Sequence, residues 1–499
     1  MTAHYTPRLV LILAACGAAT AIACATSKSA TAPPSGGTPT NIVKVSGDSQ
    51  SGAWDAAIPK PLIVKVTDSV GSPVTNTTVA WLISFDDAPQ TQSLTTTNAA
   101  GQTQITPTLG GVPGAFSVSA AINAHSVVFS GASNVALASG AANLAPGLFA
   151  SCGLTKEGKA FCWGTGIFGQ LGNGDTAEHE GAVAVSGGHT FTQVSMGNAM
   201  ACGVATGGSL YCWGAPTYSS FGNGTAAGGA TSYTPVAAGN GRTFTQVAVG
   251  QATVCGLSGG AAYCWGSNGS GAVGNSNSTN EWTPVAVSLP GGVTPTYIGA
   301  GDSFNCALTT AGAVYCWGNN YNGILGTGTS GPDSSSTPLL VTGGHMFTAL
   351  GVGNTGVCGL TAAGTVYCWG EILNGNGTSG KETAPTAISQ TGLTFTQLTA
   401  SGVVACALTA AGAAYCWGNN TDGALGSGSF STSGLTPVAV TGGLAFSSIG
   451  SGGILACGVT TSSATYCWGT NTGDNLGLSG TADTMYAVPQ IVPGMAGGA

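Results

Sequence analysis

The sequence predicts an all-β protein, a seven-bladed β-propeller with a β-sandwich in front of it. Three observations carry that prediction. A short stretch recurs along the chain: around Cys306 it reads Cys306-Ala-Leu-Thr-Thr-Ala-Gly-Ala-Val-Tyr-Cys316-Trp317-Gly318, and close copies end at Trp163, Trp213, Trp265, Trp317, Trp369, Trp417 and Trp468. The first cysteines of the copies follow one another at steps of 50, 53, 51, 52, 48 and 51 residues, a period that belongs to solenoids, propellers and arrays. Each repeat holds four strand-like runs, and four-stranded units repeated seven times make a propeller, which hides its sheet edges by closing radially. Finally, charged residues are only 5% of the chain and 84 of the 499 residues are glycine, which suits tight turns and close strand packing. So much glycine also suits disorder, but strict repeats and 10 tryptophans argue against it.

The hairpin comes first within each repeat. Opposing Cys306 to Cys316 sets Thr309 against Ala313 and leaves Thr310-Ala311-Gly312 as the loop. The last position of such a three-residue loop is left-handed, which glycine permits; Gly158, Gly208, Gly364 and Gly412 hold the same place in their copies. The third copy is a test. Cys255 and Cys264 stand one residue closer, and opposing them leaves Gly259-Gly260 alone, a favoured two-residue turn. The loop is shorter, its chemistry matches, and the cysteines stay opposite. This predicts seven disulfides: Cys152–Cys162, Cys202–Cys212, Cys255–Cys264, Cys306–Cys316, Cys358–Cys368, Cys406–Cys416 and Cys457–Cys467. Zinc is the weaker alternative, because its cysteine pairs are usually closer and accompanied by histidine. Each bond should stabilise by roughly 3 kcal/mol on the chain-entropy model. Ser463 replaces the turn glycine in the seventh copy and predicts a strained or different turn.

After each Trp-Gly comes a glycine-rich turn, such as Asn319 to Gly328, then a strand from Ser336-Thr-Pro338 and another from Phe347 to Leu350. The last repeat ends at Val488–Val492 without its Phe-Thr strand. The segment Ala141–Ala145, ahead of the first repeat, is expected to complete that last blade.

The region before the repeats divides into three. Residues 1–25 hold Arg8 and then an uncharged apolar run from Leu9 to Ala25, the pattern of an export signal. Leu13-Ala14-Ala15-Cys16 resembles the bacterial lipoprotein cleavage box, with lipidation at Cys16; Ala21-Ile22-Ala23-Cys24 makes Cys24 the alternative, and ordinary secretion with both cysteines lost is the other reading. Residues 26–40, rich in Ser, Thr, Pro, Gly and Ala, read as an extended tether. Residues 41–136 alternate at strand period: Leu62, Val64 and Val66 share one face, Val79–Ile83 is a strand with Trp81 in the core, and Gly114–Ala120 is another. Short strands with turn signals between them indicate a β-sandwich. Even cysteine pairing in an exported chain places the protein in an oxidising compartment.

Two resemblances follow. The ordered set Gly47-Asp-Ser-Gln50, Pro61-Leu, Val66-Thr-Asp68, Gly71, Pro73-Val74, Val79-Ala-Trp81, Gly101-Gln102 and Leu109-Gly110 resembles the bacterial immunoglobulin-like domains of the invasin/intimin group over most of residues 41–136. That resemblance implies a stalk or spacer. The set Ala307-Leu308-Thr309, Gly312, Val314 to Asn319, Gly323 and Leu325-Gly326-Thr-Gly328 resembles the regulator of chromosome condensation repeat, in seven copies over residues 140–495. It implies a seven-bladed propeller and, since secreted propellers of this family include protein-binding inhibitors, a protein partner. The family often has a histidine two residues before the first cysteine; here that place holds Ala150, Met200, Thr253, Phe304, Gly356, Val404 and Leu455, so any role of that histidine is absent.

Net charge is −8, and residues 1–139 balance at five acids and five bases, so the repeats carry the whole excess with twelve acids against four bases. Four cations over this length make no phosphate-binding stripe, and nucleic acid is not an expected partner. Asp175, Glu178 and Glu180, with His179 among them and Glu157 as a possible neighbour, form the densest acidic cluster; it either binds a cation or a basic partner or is a solvated loop. Tyr233, Trp282 and Tyr486 precede the Thr-Pro strand or its equivalent. They either stack on a sugar or anchor a protein partner, or pack on neighbouring blades. His189 and His345 recur at equivalent places as a mark of repeat ancestry, and His125 stands alone. No nucleophile–base arrangement, phosphate loop or metal-ligand spacing stands out, and no cofactor is called for. The expectation is a monomeric, secreted or lipid-anchored surface protein whose propeller binds a protein or carbohydrate. The alternative is a polysaccharide hydrolase or lyase on the propeller's central face, which needs paired carboxylates. Nuclear nucleotide exchange, the third reading, conflicts with the export signal and the disulfides.

Overall fold

The computed structural model describes residues 37–495, apart from 86–90, 111–112, 141–142, 217–220, 225–228, 332, 372–374, 379, 432 and 479–483. Cys16 and Cys24, with the expected export signal, lie outside the described residues. Residues 144–491 form seven four-stranded antiparallel sheets, each contiguous in sequence. Blade 4 shows the pattern: Pro295–Ala300, Phe304–Thr309, Val314–Asn319 and Ser334–Leu340 lie side by side in that order, from the central channel outward.

All seven expected disulfides form within hairpins. Cys306 faces Cys316 in register, and their Cα atoms are 4.1 Å apart. In blade 3 Cys255 faces Cys264 across the Gly259-Gly260 turn, with φ of 58° and 78°. The shortened loop goes with a change in the next blade. In five blades the carbonyl of the turn glycine accepts the N–H that opens the following inner strand: Phe191 to Gly158 (2.7 Å), Phe244 to Gly208 (2.7 Å), Phe347 to Gly312 (2.8 Å), Phe395 to Gly364 (3.1 Å) and Phe446 to Gly412 (2.8 Å). After blade 3 that place holds Pro295, which has no N–H to donate. Ser463 keeps the common turn and adopts a φ of 64°, so the strain expected of it is present while the turn is unchanged.

The closing strand is not where the repeat phase suggested. Each Phe-Thr strand opens a blade instead of ending one, because its first N–H is held by the preceding hairpin and its residues pair with the following cysteine strand. Blade 7 has its own inner strand, Phe446–Gly452. Leu144–Pro146 therefore completes blade 1, pairing with Ala150–Leu154. Leu137 bridges to Thr155 in the place Phe446 takes opposite Thr460. The ring closes by packing, without exchanging a strand. Asn475 Nδ2 donates to the Leu148 carbonyl (2.8 Å), Ser151 Oγ to the Asn475 carbonyl (3.1 Å), and Thr165 Oγ1 to the Gly473 carbonyl (3.1 Å).

Neighbouring blades are joined by the two halves of the repeat motif. Trp213, Trp317, Trp369 and Trp468 donate through Nε1 to the carbonyls of Gln170, Ala272, Ile324 and Ala424, at 2.9, 2.9, 3.0 and 2.9 Å, each in the glycine-rich turn of the preceding blade. The indole covers a glycine of that turn so closely that a Cβ on Gly274 would stand 2.6 Å from Trp317 Nε1. Trp163 lies on Gly477 in the same way across the closure. Inside the turns sit fully buried asparagines. Oδ1 of Asn268, Asn320, Asn420 and Asn471 accepts the N–H five residues on, at 2.8, 3.1, 3.1 and 3.0 Å, supplying the polar partner a buried loop requires.

The N-terminal unit is a pair of sheets around one core. Asn41–Ser46, Leu62–Thr67 and Gln102–Ile105 form one sheet. The other has Gln50–Ala53, His125–Asn134, Gly114–Ile122, Thr78–Phe85 and Thr91–Thr96, the first two strands parallel. Leu62, Val64 and Val66 meet Val79, Trp81, Val118 and Phe129 between them, as the alternation predicted. The unit rests on the propeller's closure. Trp54 meets Phe161 edge-on at 5.0 Å, and Val135 N–H donates to the Gly494 carbonyl (2.7 Å).

Candidate binding face

Antiparallel order sorts the loops onto two ends. Turns between the first and second strands share one end with the long loops between the third and fourth, and this is the loop face. The cysteine hairpins share the other with the links between blades, and this is the hairpin face. Charge separates the same way. The loop face holds Asp175, Glu178, Glu180, Glu281, Asp302, Asp333, Glu371, Glu382, Asp422 and Asp474, with Lys381; the hairpin face holds Lys156, Lys159 and Arg242, with Glu157. Glu157 is thus no neighbour of the Asp175 cluster, because Ala160–Gly164 runs from one end of the blade to the other between them.

Several of these acids are hydrogen-bonded by neutral groups, which orient a carboxylate without cancelling its charge. Asn275 Nδ2 donates to Glu281 (3.0 Å), Asn376 Nδ2 to Glu382 (3.0 Å), Thr470 Oγ1 to Asp422 (3.0 Å), and Asn322 Nδ2 to Glu371. Asp175 accepts from Asn173 Nδ2 (2.9 Å) and Ala177 N–H (3.0 Å) and contacts His179 Nε2 at 3.2 Å. Burial pushes its carboxyl up, but the Ala177 N–H, His179 and Asn173 outweigh this and hold it below the usual range. Glu178 and Glu180 point to solvent. Among the described residues no three His, Cys, Asp or Glu side chains gather to hold a metal ion.

The three aromatic candidates do not form one surface. Tyr233 and Trp282 are in outer strands, at the position whose carbonyl accepts a glycine N–H from the preceding blade: Gly174 to Tyr233 (2.9 Å) and Gly224 to Trp282 (2.9 Å). In blade 7 that position is Ala487, which accepts from Gly428 (2.8 Å). Tyr486 faces Gly469 as Ser232 faces Gly214, one residue out of step. A one-residue offset turns a strand side chain to the opposite face, and Tyr486 packs against the core between blades 7 and 1, while Tyr233 stays 42% exposed. His189 and His345 stack on Tyr211 and Tyr367, with ring centroids 3.9 and 4.0 Å apart, a packing role repeated in two blades. His125 is exposed on the N-terminal unit.

The inner strands surround a channel of about 850 Å³. Its lining is neutral, with Gln193, Ser195, Gln246, Tyr297, Thr399 and Ser451 among apolar residues. The glutamines are structural. Gln193 Nε2 donates to the Val247 carbonyl (2.8 Å) and its Oε1 accepts the Val247 N–H (2.7 Å); Gln246 holds Ile298 in the same way, at 2.9 and 3.0 Å. Burial pushes the Tyr297 phenol up to about 12. At the loop-face mouth the first turns of blades 2 to 5 carry Asn198, Gln251, Asp302 and Asn354 in succession. Gln251 lies against the Asp302 carboxylate with its NH2 as donor, and burial holds the Asp302 carboxyl above its usual range. Sequence reasoning missed this arc. Its signal was available: each member stands four residues before the first cysteine of its copy.

Residues 259–308 and 311–360 match the regulator of chromosome condensation (RCC1) repeat, and residues 296–324 match a second model of the same repeat. Residues 259–360 of this β-propeller therefore carry RCC1-type repeats. The chain is similar over 133 residues, at 30% identity, to the ultraviolet-B receptor UVR8 of Arabidopsis thaliana, covering 26% of this chain and 30% of the receptor. It is 25% identical over 233 residues to the mitochondrial RCC1 domain-containing protein RUG3 of the same plant, covering 44% of this chain and 51% of that protein. The chain therefore spans about a third to a half of these relatives. Among solved structures, Prp20p of Saccharomyces cerevisiae superimposes with a TM-score of 0.58 at 17% identity, covering 71% of this chain and 87% of its own. Human WBSCR16 does so with a TM-score of 0.57 at 21% identity, covering 75% and 97%. These two likenesses concern the fold. The seven disulfides within the blades point to an oxidising, extracytoplasmic environment.

Proposed function

We propose that the protein is an exported binding module that presents the loop face of its propeller to a partner. The N-terminal unit serves as a bacterial immunoglobulin-like spacer, and a lipid on Cys16 or Cys24 tethers the chain to the cell surface. The observation that carries this reading is the charge separation: among the described residues, ten acids (Asp474 of them buried) and one lysine lie at the loop face, against three bases and one acid on the hairpin face. A field of one sign over one end of a molecule steers a complementary partner and repels nucleic acid. The partner is a protein or a carbohydrate of positive or neutral character. Polysaccharide hydrolysis calls for two carboxylates flanking the bond. The channel lining is neutral and Asp302 stands singly at its mouth, an arrangement that favours binding over that chemistry. The test is to immobilise the full chain, expose it to culture fluid and host-surface material, and cross-link what is retained. Cross-links on the long loops, around Asp175–Glu180 or Asp333, support the reading. A footprint confined to the cysteine hairpins refutes it.

A further inference from the structure

The reading of the propeller as a binding module leaves open what the loop face takes, and the channel mouth supplies an answer that rests on that reading. Ring closure brings Asn198, Gln251, Asp302 and Asn354 side by side on consecutive blades, while blades 6, 7 and 1 offer Gly402, Gly453 and Leu148. One side of the mouth is therefore a polar arc and the other is open. Asn198, Gln251, Gly301 and Asn354 line the recess there, and Asp302 borders it through its contact with Gln251. The carboxylate of Asp302 lies against Gln251, a neutral donor. The ion pairs recorded among the described residues are Lys44–Asp48 and His179–Asp175, both elsewhere. Each propeller lysine and arginine sits on the hairpin face or, as Lys381, at the start of an outer strand. A half-withdrawn carboxylate with no cation beside it is costly to the free protein, and a cation supplied from outside would remove that cost.

The flanking side chains suit a guanidinium. Asn354 on the next blade carries a carboxamide oxygen that can accept, Asn198 offers another one blade beyond Gln251, and a guanidinium has five N–H groups in a rigid fork. The remaining acids are spread over the third-to-fourth-strand loops of six of the seven blades, with Asp474 among them buried, an extent that matches a chain of cationic residues better than one small ion. We propose that the channel mouth receives an arginine side chain from a cationic protein segment, with Asp302 as the anchor and the loop acids as the steering rim.

The experiment titrates the full chain with deca-arginine, with spermine as the small-cation control and deca-glutamate as the charge control. Wild type is compared with Asp302→Asn and with the rim pair Glu178→Gln/Glu180→Gln, and correct disulfides in each variant verify folding. We expect salt-sensitive binding of deca-arginine, a loss of about tenfold or more in Asp302→Asn, and a loss of about threefold or less in the rim pair. If Asp302→Asn loses no more than the rim pair, the anchor is wrong while the binding face stands. If spermine binds as tightly as deca-arginine, the mouth is a small-cation site and the protein-segment proposal is overturned. If deca-arginine binds no better than deca-glutamate, both this inference and the charge reading of the loop face fall.

Discussion

Gly274→Ala should cost far more than Gly292→Ala, although the two glycines share a backbone conformation. Their φ values are 75° and 80°. An alanine in this left-handed region costs about 1–2 kcal/mol, offset by about 0.4–1 kcal/mol from the stiffer unfolded chain. At Gly292 a Cβ would meet nothing within 4 Å, so the net cost there is about 1 kcal/mol. At Gly274 the new methyl would stand 2.6 Å from Trp317 Nε1 and 2.7 Å from its Cδ1. Trp317 is fully buried and held by its bond to the Ala272 carbonyl (2.9 Å), so it cannot step aside without breaking that bond. Overpacking adds about 1–3 kcal/mol and the strained or lost hydrogen bond about 1 kcal/mol. The two variants should differ by about 2–4 kcal/mol. Denaturant unfolding with the disulfides intact, followed by tryptophan fluorescence, reads this directly, since seven of the ten tryptophans lie in the joints between blades. Equal midpoints for the two variants would mean that the glycine serves the backbone alone and that the indole does not join the blades.

Removing one staple, as in Cys306→Ala/Cys316→Ala, should cost roughly 3 kcal/mol, and non-reducing peptide mapping of the parent should return seven local bonds; bonds between repeats would overturn the hairpin reading. Trp54→Ala should loosen the closure between blades 1 and 7, removing an edge-on contact worth about 0.5–1.5 kcal/mol plus its buried area. Hydrogen exchange should rise in residues 144–155 and 455–492 while blades 3 to 5 keep their protection, and a uniform change would refute a local clasp. Asp302 supplies a test of sign. Burial raises its folded pKa, so between the unfolded carboxyl value and that raised value the native state holds more protons and stability falls as pH rises. Asp302→Asn should therefore unfold at a higher midpoint than wild type at neutral pH and at the same midpoint below the ordinary carboxyl range; a loss of stability at neutral pH would show that the carboxylate is already compensated.

The hairpins could be read along the chain because their chemistry is complete within a dozen residues. Cys255, Cys264 and the Gly259-Gly260 turn specify one another, and Leu62, Val64 and Val66 declare their common face by alternation. Tyr486 escaped that reading because its strand lacks the Thr-Pro marker that aligns Tyr233 with Trp282, and a slip of one residue reverses a strand side chain. The segment before Leu144 was placed in the wrong blade for a related reason: a cyclic repeat has no marked beginning, and the phase is set by the hydrogen bond from each Phe N–H to the hairpin behind it. Pro295 shows the same dependence from the other side, since the inner strand that opens with proline, without an N–H donor, follows the one hairpin shortened by a residue. The acids look scattered along the sequence because antiparallel order deals successive loops to alternate ends, and folding gathers every second set onto one face. Asp302 and its carboxamide neighbours are about fifty residues apart. Hairpin closure, turn type and face alternation are local and belong to the sequence; the channel mouth exists only once the ring has closed, because no member of the arc meets the next until neighbouring blades are packed.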